Sequence, residues 1–202
     1  MLNAKSTFHR NIQKANELGS LFDSLTTVVA MPVQFDDLLR SQIVQAVSAF
    51  DKLMHDLIRL GMVQIFKGTR TATPKYLSDT VPLSAVSALS AGALPPPEVA
   101  FAETIRTKHS ILSFQDPDKI ANGLAFIWNE KFKWTQIAEG LAMPEEQAKL
   151  KQKLIVSRRN AIVHEADLDP VTNQKIAISH AQAKDVADFQ LALGNRICDL
   201  II

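Results

Sequence analysis

Cysteine occurs once in the 202 residues, at Cys198. That excludes an intrachain disulfide and a cysteine-rich zinc site, and it fits a reducing compartment. Glycine is nearly as scarce, at seven residues, and apolar–polar alternation is almost absent, so the usual marks of a β-rich fold are missing. No apolar run approaches the ~18 residues of a membrane-spanning helix. The greasiest region, 43–66, is broken by Asp51, Lys52, His55, Asp56 and Arg59. Charge of either sign is not in excess: 22 Lys+Arg against 21 Asp+Glu leave +1. Bulk charge therefore does not hold this chain to nucleic acid, and any such contact is local. Gly-rich phosphate loops, Gly-x-Ser-x-Gly and His-Glu-x-x-His are all absent, which removes nucleotide-triphosphatase, hydrolase-elbow and zincin chemistry. The polar, mixed start Met1–Arg10 has no apolar core of a leader, so a soluble cytoplasmic protein is the expectation.

What is present reads as helix. Phe8, Ile12, Ala15, Leu18, Phe22, Leu25 and Val29 recur at three- and four-residue steps, an amphipathic stripe that Pro32 stops. Asp36 and Asp37 open a second helix where the macrodipole favours negative charge. It runs to about Phe66, with Gly61 expected to bend or weaken it and Gly68 to end it. Residues 69–97, rich in Pro, Ser and Ala, read as an excursion carrying one short helix or acting as a flap, and not as a second domain. Helix resumes over Glu98–Ser110. Asp116-Pro117 is a start signal, with Asp as N-cap and Pro at the first helical position. A short piece covers Trp134–Leu141. Pro144 is expected at the first position of a helix running to about Glu165, and Ser179 with Gln182 forms a capping box before the last helix. The expectation is one all-α domain over 1–202, with four long helices and shorter connecting ones.

One stretch carries chemistry: Arg158-Arg159-Asn160-Ala161-Ile162-Val163-His164. At ~100° per residue, Ile155, Val156, Ile162, Val163 and Ala166 all fall within roughly 60° of Arg159. Leu150, Leu154 and Ala161 form a second stripe nearly opposite. Such a helix is covered on most sides, by its own bundle or by another subunit. An unpartnered buried guanidinium is costly, so Arg159 is either paired with a carboxylate or faces a cleft that takes an anion, for which its planar fork suits phosphate. Asn160 and His164 stand one turn apart on an adjacent face. By spacing alone the group is open to a structural reading as well as a catalytic one.

The segment Arg159–His164 resembles the Arg-x4-His signature of the HEPN superfamily, and the longer RRNAIVHEADLDP resembles its RiboL-PSP-HEPN branch. SQIVQAVSAFDKLMHDLIRLG, SFQDPDKI and IAISHAQAKDVADF agree in order, so the likeness spans roughly Arg40 to Ile202. The resemblance implies a helical bundle that pairs into a homodimer, with signature helices of both subunits lining one cleft. It implies a metal-independent endoribonuclease of toxin–antitoxin, phage-defence or RNA-processing systems, or a member that has lost activity and serves as a binding module. In the first case His164 is the acid/base, Arg159 holds the scissile phosphate, and Asn160 orients the pair. No metal or cofactor is called for, since RNA carries its own nucleophile. RNA is the expected substrate, with no DNA or membrane partner, and an antitoxin or sensor protein as a further partner.

Secondary candidates surround this core. Asp51 and His55 are one turn apart on the second helix, either a supporting pair facing the cleft or a solvated polar pair. Lys151, Lys153 and Arg158 belong to a local run of cations that reads as an RNA-backbone track or as a solvated face. Glu165, Asp167 and Asp169 are expected to end the helix and pair with Arg158 or Arg159, more than to hold a metal. Phe126, Trp128, Phe132 and Trp134 read as core, with base stacking as the alternative. A plain scaffold, with Arg159 in a buried ion pair, stands as a third reading.

Overall fold

The computed structural model describes residues 1–29, 35–90 and 95–202. Among them the chain forms nine helices: α1 (Leu2–Val29), α2 (Asp36–Phe66), α3 (Pro74–Leu77), α4 (Leu83–Ser90), α5 (Pro97–His109), α6 (Pro117–Leu124), α7 (Lys133–Gly140), α8 (Glu145–His164) and α9 (His180–Ile201). The only β-type pairing among the described residues is an isolated bridge, Leu168–Lys175. The fold is all-α, as the sparse glycine and the helical spacing predict. The expected stop at Pro32 lies outside the described residues.

The core forms where the three longest helices meet. α2 lies at the centre, packed by α1, α9, α5 and α8. Its apolar spacing wraps most of its circumference, so Leu39, Ile43, Val47, Phe50, Leu53, Met54, Leu57 and Ile58 are all buried. α1 contributes Phe8, Ile12 and Ala15 and α9 contributes Leu193 and Ile197 to the same cluster. Burying one such large side chain stabilises the fold by ~1.5–3 kcal/mol. Lys5 pairs with Asp199 (2.7 Å) at one end, and Asp23 meets His180 (2.8 Å) at the other, so α1 and α9 run antiparallel.

Gly61 does not interrupt α2. The helix continues unbroken to Phe66, and a Cβ at Gly61 would stand 2.6 Å from the Ile127 Cγ2 methyl. The glycine admits the turn after α6 against the helix backbone. Gly68 does terminate the segment, in the left-handed region at φ 72°.

The start signals behave as their chemistry requires. Asp116 accepts the Asp118 N–H (2.9 Å) with Pro117 at the first helical position. Ser179 accepts the Gln182 N–H (3.2 Å) while the Gln182 side chain accepts the Ser179 N–H (2.9 Å). Pro144 sits one position earlier than expected, as the N-cap of α8.

The 69–97 stretch holds two short helices, and its first part is no loose excursion. Arg70 donates to the carbonyls of Ile127 (3.0 Å) and Ile201 (2.5 Å) and to Gln64 Oε1 (3.0 Å). The Thr73 hydroxyl reaches the carbonyls of Ala125 (2.8 Å) and Phe126 (3.0 Å). These are orphan carbonyls at helix ends, the groups that need an outside donor. Residues 91–94 lie outside the described residues.

Candidate functional site

α8 carries the signature, and its two apolar stripes meet different fates. Ala148, Gln152 and Ile155 are buried, and Ile162 packs partly against the core. The second stripe stays open at Leu150 (56% exposed) and Leu154 (62%), while Val163, on the Arg159 side of the helix, is 45% exposed. Leu150 and Leu154 border a groove of about 700 Å³ whose floor includes Ile43, Ile155 and Val186.

α8 is moored through a chain of buried amides. Gln152 donates to the Gln115 carbonyl (2.7 Å), and Gln190 on α9 donates to Gln152 Oε1 (2.8 Å). Gln115 in turn donates to Asp51 on α2 (3.1 Å). In a low-dielectric interior each such bond is strong, and each unmade one is costly.

Arg158 and Arg159 point to different places. Arg158 Nη1 meets Asp167 Oδ1 at 2.8 Å, and Asp167, with no exposure at all, also takes the Nε of Arg40 at 2.7 Å. Arg40 further donates to the Ile176 carbonyl (2.8 Å). Ala166 (φ 54°) and Asp167 (φ 58°) are both left-handed, a tight reversal that turns the carboxylate inward just past the helix end. Asp169 holds the following turn, and hydrogen bonds from Thr172 and Val171 keep its carboxyl below the usual range. The pairing of Arg158 with an acid past the helix is therefore the one present, through Asp167.

Arg159 has no carboxylate within ion-pair distance among the described residues. Its Nη1 donates to Asn160 Oδ1 (3.0 Å), and its buried Nε has no partner. The side chain lines a cavity of about 530 Å³ between α2, α5 and α8, together with Asp51, His55, Arg59, His109 and Gln115. Arg159 thus lines a cleft with no carboxylate beside it among the described residues, and its contact with Asn160 does not extend to His164.

His164 is the last residue of α8, exposed, and is not among the residues lining that cavity. One chain does not bring Arg159 and His164 to the same concavity. Asp51 and His55 do face the cavity. Asp51 accepts the Phe114 N–H (2.7 Å) on Oδ1, which stands 4.0 Å from His55 Nε2. Of the remaining cations, Lys151 pairs with Asp185 (2.8 Å), and Lys153 is exposed. Trp134 and Phe126 are core, whereas Phe132 is 63% exposed.

Sequence reasoning missed His109. It is 3% exposed with neither ring nitrogen partnered, set between Phe114 and Phe126. Burial pulls its pKa below the ordinary histidine value, with the carboxylate of Asp79 opposing. A lone histidine at a helix end gives no periodicity signal, and its burial depends on two loops that fold over it. Arg40 and Gln152 were missed for the same reason, since their partners lie 127 and 37 residues away.

No curated protein and no solved structure matches the chain. A family model does, over residues 9–202, and it spans α8 with its Arg-x4-His and all the elements that seat it. The chain is a member of the RiboL-PSP-HEPN family.

Proposed function

We propose that the chain is a metal-independent endoribonuclease of HEPN type that acts as a homodimer in the cytoplasm, as a toxin or phage-defence effector. The observation that carries this is Arg159, a guanidinium without a carboxylate on the wall of a cavity, with Asn160 turning it. A cation left open in this way suits a phosphate and the charge that develops on it. RNA supplies its own 2′-OH, so the protein needs only proton transfer and charge stabilisation. His164 serves the first need, Arg159 the second. Attack of the 2′-oxygen on phosphorus gives a 2′,3′-cyclic phosphate and a 5′-hydroxyl.

The dimer follows from the separation of those two groups. Five residues on a helix turn ~140°, and His164 lies outside the cavity that Arg159 lines. A two-fold axis alongside α8 brings a second copy of each residue into reach. The open stripe of Leu150 and Leu154 is the apolar surface such a contact would cover. Lys153 and, by giving up its exposed pair with Asp185, Lys151 are the backbone contacts of this reading. Arg158 is not, because the buried Asp167 occupies it.

The test is incubation of the purified protein with mixed tRNA and messenger RNA in excess EDTA, beside folded His164→Ala and Arg159→Ala. Cleavage by the parent alone, leaving cyclic phosphate ends, is the expected result. A stable dimer that cuts no RNA would favour a binding module instead.

A further inference from the structure

We propose that the cavity between α2, α5 and α8 seats the nucleotide on the leaving side of the scissile phosphate, and that His55 donates the proton to its 5′-oxygen. This rests on the nuclease reading above. It adds a catalytic residue from outside the signature, and it divides the two proton transfers between His164 and His55.

Four features carry it. First, among the cations that line the cavity only Arg159 lacks a carboxylate among the described residues. Lys52 and Arg59 hold Asp56 (2.8 and 3.2 Å), and Arg106 holds Glu103 (2.5 Å). A phosphate entering the cavity meets one open guanidinium, and that fixes where the reacting atom sits. Second, His55 lines the same cavity and is reachable, with its side chain 29% exposed. Its ring is set edge-on to Phe114, with centroids 4.8 Å apart, so it does not swing freely. Third, both oxygens of Asp51 are engaged by Phe114 and Gln115. Asp51 is therefore a fixed negative charge 4.0 Å from His55 Nε2, suited to hold an imidazolium and not itself the proton carrier. Fourth, His164 does not reach this cavity from its own chain and serves the 2′-oxygen in the dimer, so the acid beside the leaving oxygen is a second group, and His55 is the reachable histidine on the cavity wall. About 530 Å³ lies within the range of small-ligand pockets.

The step balances without another reactant. The 2′-oxygen bonds to phosphorus as its proton passes to His164. The bond between phosphorus and the 5′-oxygen breaks, its electron pair stays on that oxygen, and the oxygen takes the ring proton of His55. Water then returns both histidines to their starting forms.

The experiment uses the full chain and an RNA whose cut site the parent defines. The same RNA is then made with sulfur in place of the bridging 5′-oxygen at that site. A thiolate leaves without protonation, so it removes the need for the acid. His55→Gln is expected to slow cleavage of ordinary RNA by about 10²–10⁴-fold, and cleavage of the sulfur RNA by less than about tenfold. His164→Ala is expected to slow both. A folding defect in His55→Gln would slow both substrates alike, and that result overturns the assignment, as does full activity of His55→Gln on ordinary RNA. If the parent cuts no RNA, the nuclease reading and the inference fall together. If only the sulfur arm fails, the nuclease reading stands and His55 is not its acid.

Discussion

Arg158 and Arg159 are neighbours in sequence with the same side chain, yet they do opposite work. Arg158 closes a buried cluster with Arg40 around Asp167. Arg159, turned ~100° around the helix, meets no acid and borders a cavity. A charged residue that is fully paired is part of the framework. One left open in a concave site is available to a ligand. The second arginine is the one in the Arg-x4-His segment, and the placement of one aspartate beside its neighbour leaves it open.

The sharpest way to test that contrast is to remove the aspartate. Asp167→Ala takes the shared buried carboxylate from two guanidiniums and leaves Arg40, only 6% exposed, with the exposed Asp37 at 3.3 Å, and loss of one partner from such a cluster costs about 3–5 kcal/mol. Urea unfolding of the variant against the parent measures it. Arg159→Ala should do the reverse. It strands no charged partner, only the amide oxygen of Asn160, so unfolding changes by less than about 1 kcal/mol, while RNA cleavage falls by about 10²–10³-fold in a steady-state assay. If Arg159→Ala proved the more destabilising of the two, the contrast would be broken.

A smaller effect concerns the exposed stripe beside Arg158, across the helix from Arg159. Leu154→Glu places charge on a side chain 62% exposed. The dissociation constant of the proposed dimer should rise at least tenfold, about 1.4 kcal/mol, with the monomer's melting unchanged. Sedimentation velocity at several concentrations reads both.

The smallest effect extends the contrast to histidine. His164 is open to solvent, whereas His109 is buried with its pKa lowered from 6.5 by desolvation. The unfolded chain then takes up a proton near pH 6.5 that the folded chain refuses. Stability is thus full above that pH and declines as the pH drops below it. His109→Leu should flatten that part of the melting-temperature profile and raise stability at pH 7 by about 1 kcal/mol, because no unpartnered ring nitrogen remains buried. Thermal melts from pH 5 to 8 compare the two.

Much of this was legible in the residues. The spacing in α1 and α2, the Asp116-Pro117 start and the Ser179–Gln182 box each act within one or two helical turns, where sequence and structure are tied directly. The signature could be read because Arg159, Asn160 and His164 share one helix. What could not be read depends on distant partners. Nothing near Arg158 says that Asp167 reverses through two left-handed residues to reach it and Arg40. Gly61 suggested a weak point because its neighbour across the packing, Ile127, is 66 positions away. The 69–77 segment looked loose because its proline and threonine resemble linker composition, while its anchors are carbonyls at the far ends of α6 and α9.

The glutamine chain has a dynamic consequence. Gln115, Gln152 and Gln190 come from the loop before α6, from α8 and from α9, and each relies on the next for a buried bond. None of the three elements can lift away alone without leaving polar groups unsatisfied in the interior. Breathing at this side of the bundle is therefore collective: the helix that presents Arg159 stays put or departs with α9. The wall of the cavity is rigid for that reason, while His164, exposed at the end of α8, takes no part in the glutamine chain.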